Sequence, residues 1–144
     1  MDQQAKKDIQ RLVDTSRDAI VCSVDDDGFP NAKTMFRARN DGLSTFWFST
    51  NVSAIRTGHF QKRSQACIYF VDAADFHGLM LTGQMQVCTD DATKRDFWHD
   101  GDEQYYPLGP TDPDYCILRF TAEKGNYYHG LKKHLFAVSE TKAW

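Results

Sequence analysis

FPNAKTMFRARNDGLSTFWFSTNVSAIRTGHFQKR, residues 29–63, is the stretch on which the reading of this chain turns. A strand over 31–39 carries Lys33, and Asp41-Gly42 then reverses the chain, because glycine tolerates the positive φ of a hairpin turn. A second strand over 43–49 follows. Its consecutive Phe46, Trp47 and Phe48 send Trp47 to one face and both phenylalanines to the other. The polar turn Ser49-Thr50-Asn51-Val52-Ser53 opens a helix over 53–62, with Asn51 or Ser53 as N-cap and Arg56 in its first turn. Two cations, several hydroxyls and the free amides of a helix start converge there, a set that suits a phosphate ester better than a sugar or a peptide.

The flanking sequence supplies the rest of the architecture. Upstream, Ile9, Leu12 and Val13 at i, i+3, i+4 among charges predict an amphipathic helix over 5–17. A strand over 19–24 ends in Asp25-Asp26-Asp27-Gly28-Phe29-Pro30, a cluster of turn formers. Downstream, strands over 66–71 and 79–88 are joined by a loop holding Asp75, Phe76 and His77. A helix over 91–99 ends near Phe97 and Trp98, and the segment from Tyr105 to Pro113 holds three prolines, which excludes both helix and central strand. A final strand pair, 115–121 and 126–131, surrounds a turn at 122–125, and 132–144 is a tail. The strands are expected to form a meander with one helix inserted. The chain is therefore expected to be mainly β, a small antiparallel barrel of six or seven strands with peripheral helices, in one domain over 1–144.

Composition narrows the function. At 144 residues the chain should bury roughly 68–70% of its unfolded surface, enough for one full core. A net charge of −3 with scattered Lys and Arg gives no nucleic-acid footprint and no polybasic membrane patch. Residues 1–17 are polar and no apolar run approaches a membrane span, which points to a cytoplasmic protein. Cys22, Cys67, Cys88 and Cys116 lie far apart in strand-like stretches and read as buried, reduced thiols. No two of His59, His77, His99, His129 and His134 share i, i+4 spacing, so spacing argues against a metal site. GxSxG, GxxxxGK[ST] and GxGxxG are absent, and no side chain stands out as an acid–base or covalent catalyst.

Taken in order, several pieces resemble the pyridoxamine 5′-phosphate oxidase-like group of flavin-binding split barrels, and within it the small general stress protein 26 type. They are the opening helix and strand, Gly28-Phe29-Pro30 before Lys33-Thr34-Met35, and Phe46-Trp47-Phe48-Ser49-Thr50-Asn51 with Arg56 behind it. Thr82-Gly83, Trp98 before the proline loop, and Gly109-Pro110-Thr111-Asp112-Pro113-Asp114-Tyr115 complete the series, which spans nearly the whole chain. The resemblance implies a homodimer of six-stranded split barrels with two flavin mononucleotide (FMN) sites in the clefts between subunits. It places Lys33 and Arg56 on the phosphate, with Ser49, Thr50, Asn51 and Ser53 nearby. The strand Lys33-Thr34-Met35-Phe36 would lie along the isoalloxazine with its backbone on the pyrimidine edge. Gly78 and Leu79 fall where a strand approaches the flavin, and Trp98 or Tyr106 would reach the partner's cofactor. The implied activity is that of an FMN-dependent oxidoreductase passing electrons between a reduced donor and a small-molecule acceptor. Position 78 is glycine where pyridoxamine phosphate oxidases place a polar side chain, and the tail lacks their Arg- and His-bearing substrate signature. A flavin-binding sensor or carrier without turnover, a barrel that has lost its cofactor, and relatives of this fold that use deazaflavin or haem are the alternatives.

Overall fold

The computed structural model describes residues 1–144. Elements follow in the order α1 (Gln3–Thr15), β1 (Asp18–Val24), β2 (Pro30–Phe36), β3 (Arg39–Asp41), β4 (Thr45–Asn51), α2 (Ile55–Lys62), β5 (Gln65–Asp72), β6 (His77–Cys88), α3 (Asp91–Phe97), β7 (Tyr115–His129) and β8 (Lys132–Ala137), with short 3-10 turns in the proline loop and at the C-terminus. All pairings are antiparallel, in the order β2-β1-β5-β6-β7-β4-β3, with β8 also on β7. The sheet curls until β2 approaches β4 without pairing to it. This is a mainly β split barrel with peripheral helices.

Alternation explains the curl and the core. Val21 and Ile68 point inward with Phe46, Phe48, Phe70, Leu79, Leu81, Leu118 and Phe120, all essentially buried. Each contributes about 1.5–3 kcal/mol of burial. Ile9, Leu12 and Val13 of α1 close one opening of the barrel, and Asp2 caps that helix by accepting from the Ala5 amide at 2.7 Å. Helix α2 packs against β1 and β6. His59 Nδ1 meets Ser23 Oγ at 2.7 Å, and Arg63 Nε donates to the Val24 carbonyl at 3.1 Å. Lys62 and Arg63 also pair with Asp26 beyond the end of β1.

Five expectations are corrected. The strands number eight, not six or seven, and they are not a meander: β1 pairs with β5 and β4 with β7, because a barrel must join strands distant in sequence. Residues 115–131 do not form a strand pair around a turn; Tyr115–His129 is one long strand with β6 along one edge. Its other edge takes β4 over Tyr115–Thr121 and β8 over Lys124–His129, so the supposed tail supplies a strand. The bend comes from a bulge opposite Thr82 and Gly83, where a Cβ on Gly83 would lie 2.0 Å from the Thr121 carbonyl oxygen. Helix α2 begins at Ile55 with Ala54 at the cap, and neither Asn51 nor Ser53 caps it. No helix is long and apolar enough to cross a membrane.

Candidate functional site

The inward positions of β4 are Phe46, Phe48 and Thr50. The buried Thr50 hydroxyl accepts from Nη2 of Arg56 in the first turn of α2. The adjacent Thr57 hydroxyl, also buried, donates to the Asn51 carbonyl at 2.7 Å and locks that turn onto the end of β4. Arg56 has no carboxylate within ion-pair distance, and its buried Nε has no hydrogen-bond partner. Burial depresses the guanidinium pKa, the sign of a cation removed from water. Its neighbours supply no charge: burial pushes the Cys116 thiol up to about 11 and the Tyr106 phenol up to about 12, so both are neutral near pH 7. A partly buried cation with no carboxylate beside it is costly, and an anion placed there would offset that cost.

Lys33 comes to the same side of the sheet. Residues directly opposite in an antiparallel pair share a face, and Lys33 pairs with Val21, Met35 with Ala19 and Asn31 with Ser23, all three β1 partners facing inward. Asn31 Nδ2 donates to Ser23 Oγ, the atom that holds His59 of α2. Lys33 itself is exposed in the split, with no carboxylate within ion-pair distance. Strand β2 pairs on one edge only, so along Lys33-Thr34-Met35-Phe36 alternate backbone groups face the crevice free of ladder bonds.

Other expected site residues are distributed less compactly. Met35 and Leu79 point into the core, so only their backbone is open to a ligand. Thr34 and Phe36 lie on the outer face of the sheet, as does Gly78 three strands along. A Cβ on Gly78 would fall 2.7 Å from the Tyr69 hydroxyl and 2.8 Å from the Tyr128 ring, beneath the 2.6 Å hydrogen bond joining those two hydroxyls. Ser53 is engaged elsewhere: its amide and hydroxyl donate to Asp114 Oδ1 and Oδ2 at 2.9 and 3.1 Å. Ser49 is exposed beside Tyr115. Trp98 and Tyr106 pack with Tyr115 in a second cluster outside the barrel, and the Tyr106 hydroxyl donates to Asn51 Oδ1. Cys116 and Asp114 escaped the sequence reading because each reaches the site through a contact distant in sequence, and Thr57 because no local signal separates its hydroxyl from those of the turn before it.

The family model described as "Pyridoxamine 5'-phosphate oxidase like" matches residues 4–143. The chain belongs to that family. Among solved structures, one from Clostridium acetobutylicum, a protein related to general stress protein 26 of Bacillus subtilis in the pyridoxinephosphate oxidase family, is 43% identical over 98% of this chain and 99% of that one, with a TM-score of 0.86. An FMN-binding, pyridoxamine 5′-phosphate oxidase-related protein of Nostoc punctiforme is 13% identical over 92% and 86% of the two chains, with a TM-score of 0.62. A heme-binding protein of Mycobacterium smegmatis is 14% identical over 99% and 62%, with a TM-score of 0.77. At that identity the likeness of these last two shows the fold alone. None of the curated proteins matches the chain.

Proposed function

We propose that the crevice between β2 and the β4–α2 junction binds FMN, and that the protein is a cytoplasmic flavoprotein oxidoreductase of the general stress type. The observation that carries this reading is Arg56: a half-buried guanidinium with an unbonded Nε and no counter-ion fits a phosphoryl group. Arg56 and Lys33 hold that group, and Thr50 fixes the guanidinium in place. The uncapped start of α2 adds amide donors and a favourable dipole. The free edge of β2 offers alternating donors and acceptors to the ring's polar rim. Bound there, FMN supplies the redox chemistry, which accounts for the lack of an acid–base pair among the side chains. The donor and acceptor are small molecules. Oxidation of pyridoxamine phosphate itself is not proposed, since residues 132–144 go into β8 and a turn whose Trp144 packs on Phe136.

The outer face of the sheet supports a homodimer. Phe36, Val71 and Leu135 are 58%, 42% and 70% exposed on the face shared with Ile20, Tyr69 and Met80. Such a stripe is covered by the same stripe of a second copy, which would also wall the ring from its far side. The test is spectral and thermal. Full-length protein titrated with FMN should develop a perturbed flavin band and melt at higher temperature, with FMN preferred over riboflavin by about 100-fold or more. Equal affinity for the two would remove the phosphate from the reading, and binding of haem or deazaflavin in preference to FMN would replace the cofactor. Oxidation of NADH or NADPH faster than by free FMN marks an enzyme; FMN binding with no turnover marks a carrier.

A further inference from the structure

Four potential metal ligands meet at the tip of the β5–β6 hairpin, at the far end of β7 from Arg56. His77 opens β6 and stands directly opposite His129 near the end of β7. Asp72 and Asp75 come from the connection between β5 and β6. His77 Nε2 lies 3.4 Å from Asp72 Oδ2 and 3.9 Å from Asp75 Oδ2, and His129 Nε2 lies 3.2 Å from the same Asp75 oxygen. The ligand atoms of Asp72, Asp75 and His77 all fall within 4.8 Å of one another. Four ligands at zinc distances of about 2.0–2.2 Å in a tetrahedron stand roughly 3.3–3.6 Å apart. The three ion-pair separations, 3.2, 3.4 and 3.9 Å, lie around that spacing, and His129 stands outside the group of three, reaching it through Asp75.

The surroundings orient these atoms. Tyr127, buried in the core, shares a 2.9 Å hydrogen bond with His77 Nδ1. When Tyr127 accepts from Nδ1, the Nε2 lone pair is left facing the carboxylates, the arrangement in which a hydrogen-bonded far nitrogen sets a ligand's tautomer. Asp72 Oδ1 is occupied by the Ala74 and Asp75 amides at 3.1 and 3.3 Å, so Oδ2 is the oxygen turned to the imidazole. Phe76, between the last two ligands of this loop, is held in the left-handed region at φ 48°, and its carbonyl accepts from Gly130 at 3.0 Å, tying the β5–β6 tip to the β7–β8 turn. His77 is only 12% exposed, whereas His129 and Asp75 are open enough to admit an ion.

We propose that His77, His129, Asp72 and Asp75 bind one divalent transition cation, zinc being the best match to two imidazoles and two carboxylates. Asp72, Asp75 and His77 form the close set and His129 completes it from the neighbouring strand, so the ion clamps two hairpin tips. The proposal is independent of the FMN reading.

The experiment is calorimetric titration of chelator-treated full-length protein with zinc chloride, with cobalt(II) as a spectroscopic reporter. One equivalent of zinc should bind with a micromolar or lower Kd and raise Tm by several degrees, and cobalt should give the intense visible bands of a tetrahedral site. His129→Gln and Asp75→Asn, both altering exposed groups, should each weaken zinc at least tenfold while melting like the parent protein in chelator. Should either variant fold poorly, Asp72→Asn replaces it. His99→Gln, which alters another exposed histidine beside an aspartate, should leave Kd within twofold. No stoichiometric binding at 100 μM zinc (about tenfold or more above any useful Kd), weak six-coordinate cobalt bands, or affinity unmoved by the site variants would overturn the proposal.

Discussion

At one end of β7, Cys116 lies beside the partly buried Arg56 guanidinium, which pairs with no carboxylate; at the other, His129 joins a cluster of carboxylates and imidazoles. The Arg56 end is built on rigid elements, with Thr50 and Thr57 buried and the start of α2 locked to β4. The His77 end is built on a hairpin tip, with one buried ligand and three partly open ones. Two candidate sites of opposite sign on one strand place the open polar groups of a small barrel at its rims, because the middle of β7 is filled by Leu118 and Phe120 of the core.

Breaking the strand that joins the two ends should have the largest effect. Gly83→Ala places a methyl group 2.0 Å from a backbone oxygen that cannot step aside, so the bulge must open. The expected cost is about 3 kcal/mol, a fall in Tm of roughly 10 °C by calorimetry, with both sites weakened. Next, Arg56→Gln should lower FMN affinity roughly 100-fold while leaving riboflavin nearly unchanged in fluorescence titration. The same variant should leave zinc affinity untouched, as His129→Gln should leave FMN untouched; coupling between them would erase the distinction between the ends. Lys33→Ala, which removes an exposed cation, should cost FMN only about tenfold.

The smallest effect concerns the clasp between α2 and the β1 turn. Hydrogen bonds from Lys62 and then Arg63 pull the Asp26 carboxyl down to about 2. A folded-state pKa below the unfolded value stabilises the protein above about pH 4, and that contribution is lost as pH falls from about 4 to 2. Asp26→Asn should flatten this part of the stability profile in acid unfolding and change little at pH 7.

What could be read in advance follows from range. Local signals located α1, the acidic turn after β1, the Asp41-Gly42 reversal and the alternation of Phe46, Trp47 and Phe48. Gly125 looked like a breaker, yet the Phe136 ring sits 2.2 Å from where its Cβ would be and fills that space across the pair, so the strand continues. Strand β8 was hidden for the same reason, since Lys132, Lys133 and His134 show little until β7 lies beside them. At the crevice, Thr50 and Arg56 were legible because only six residues separate them, whereas the grip of Asp114 on Ser53 spans sixty-one. The histidine cluster was invisible to spacing rules altogether: His77 and His129 become neighbours only through the register of β6 on β7.

Strand β2, paired along one edge alone, has a further bearing on handling and fate. Unpaired main-chain groups on such an edge also accept a stranger's extended segment, so, on the FMN proposal, protein without FMN should clump through edge-to-edge addition while protein saturated with FMN stays dispersed. Light scattering of the two samples at equal concentration would show whether occupancy also acts as a solubility device.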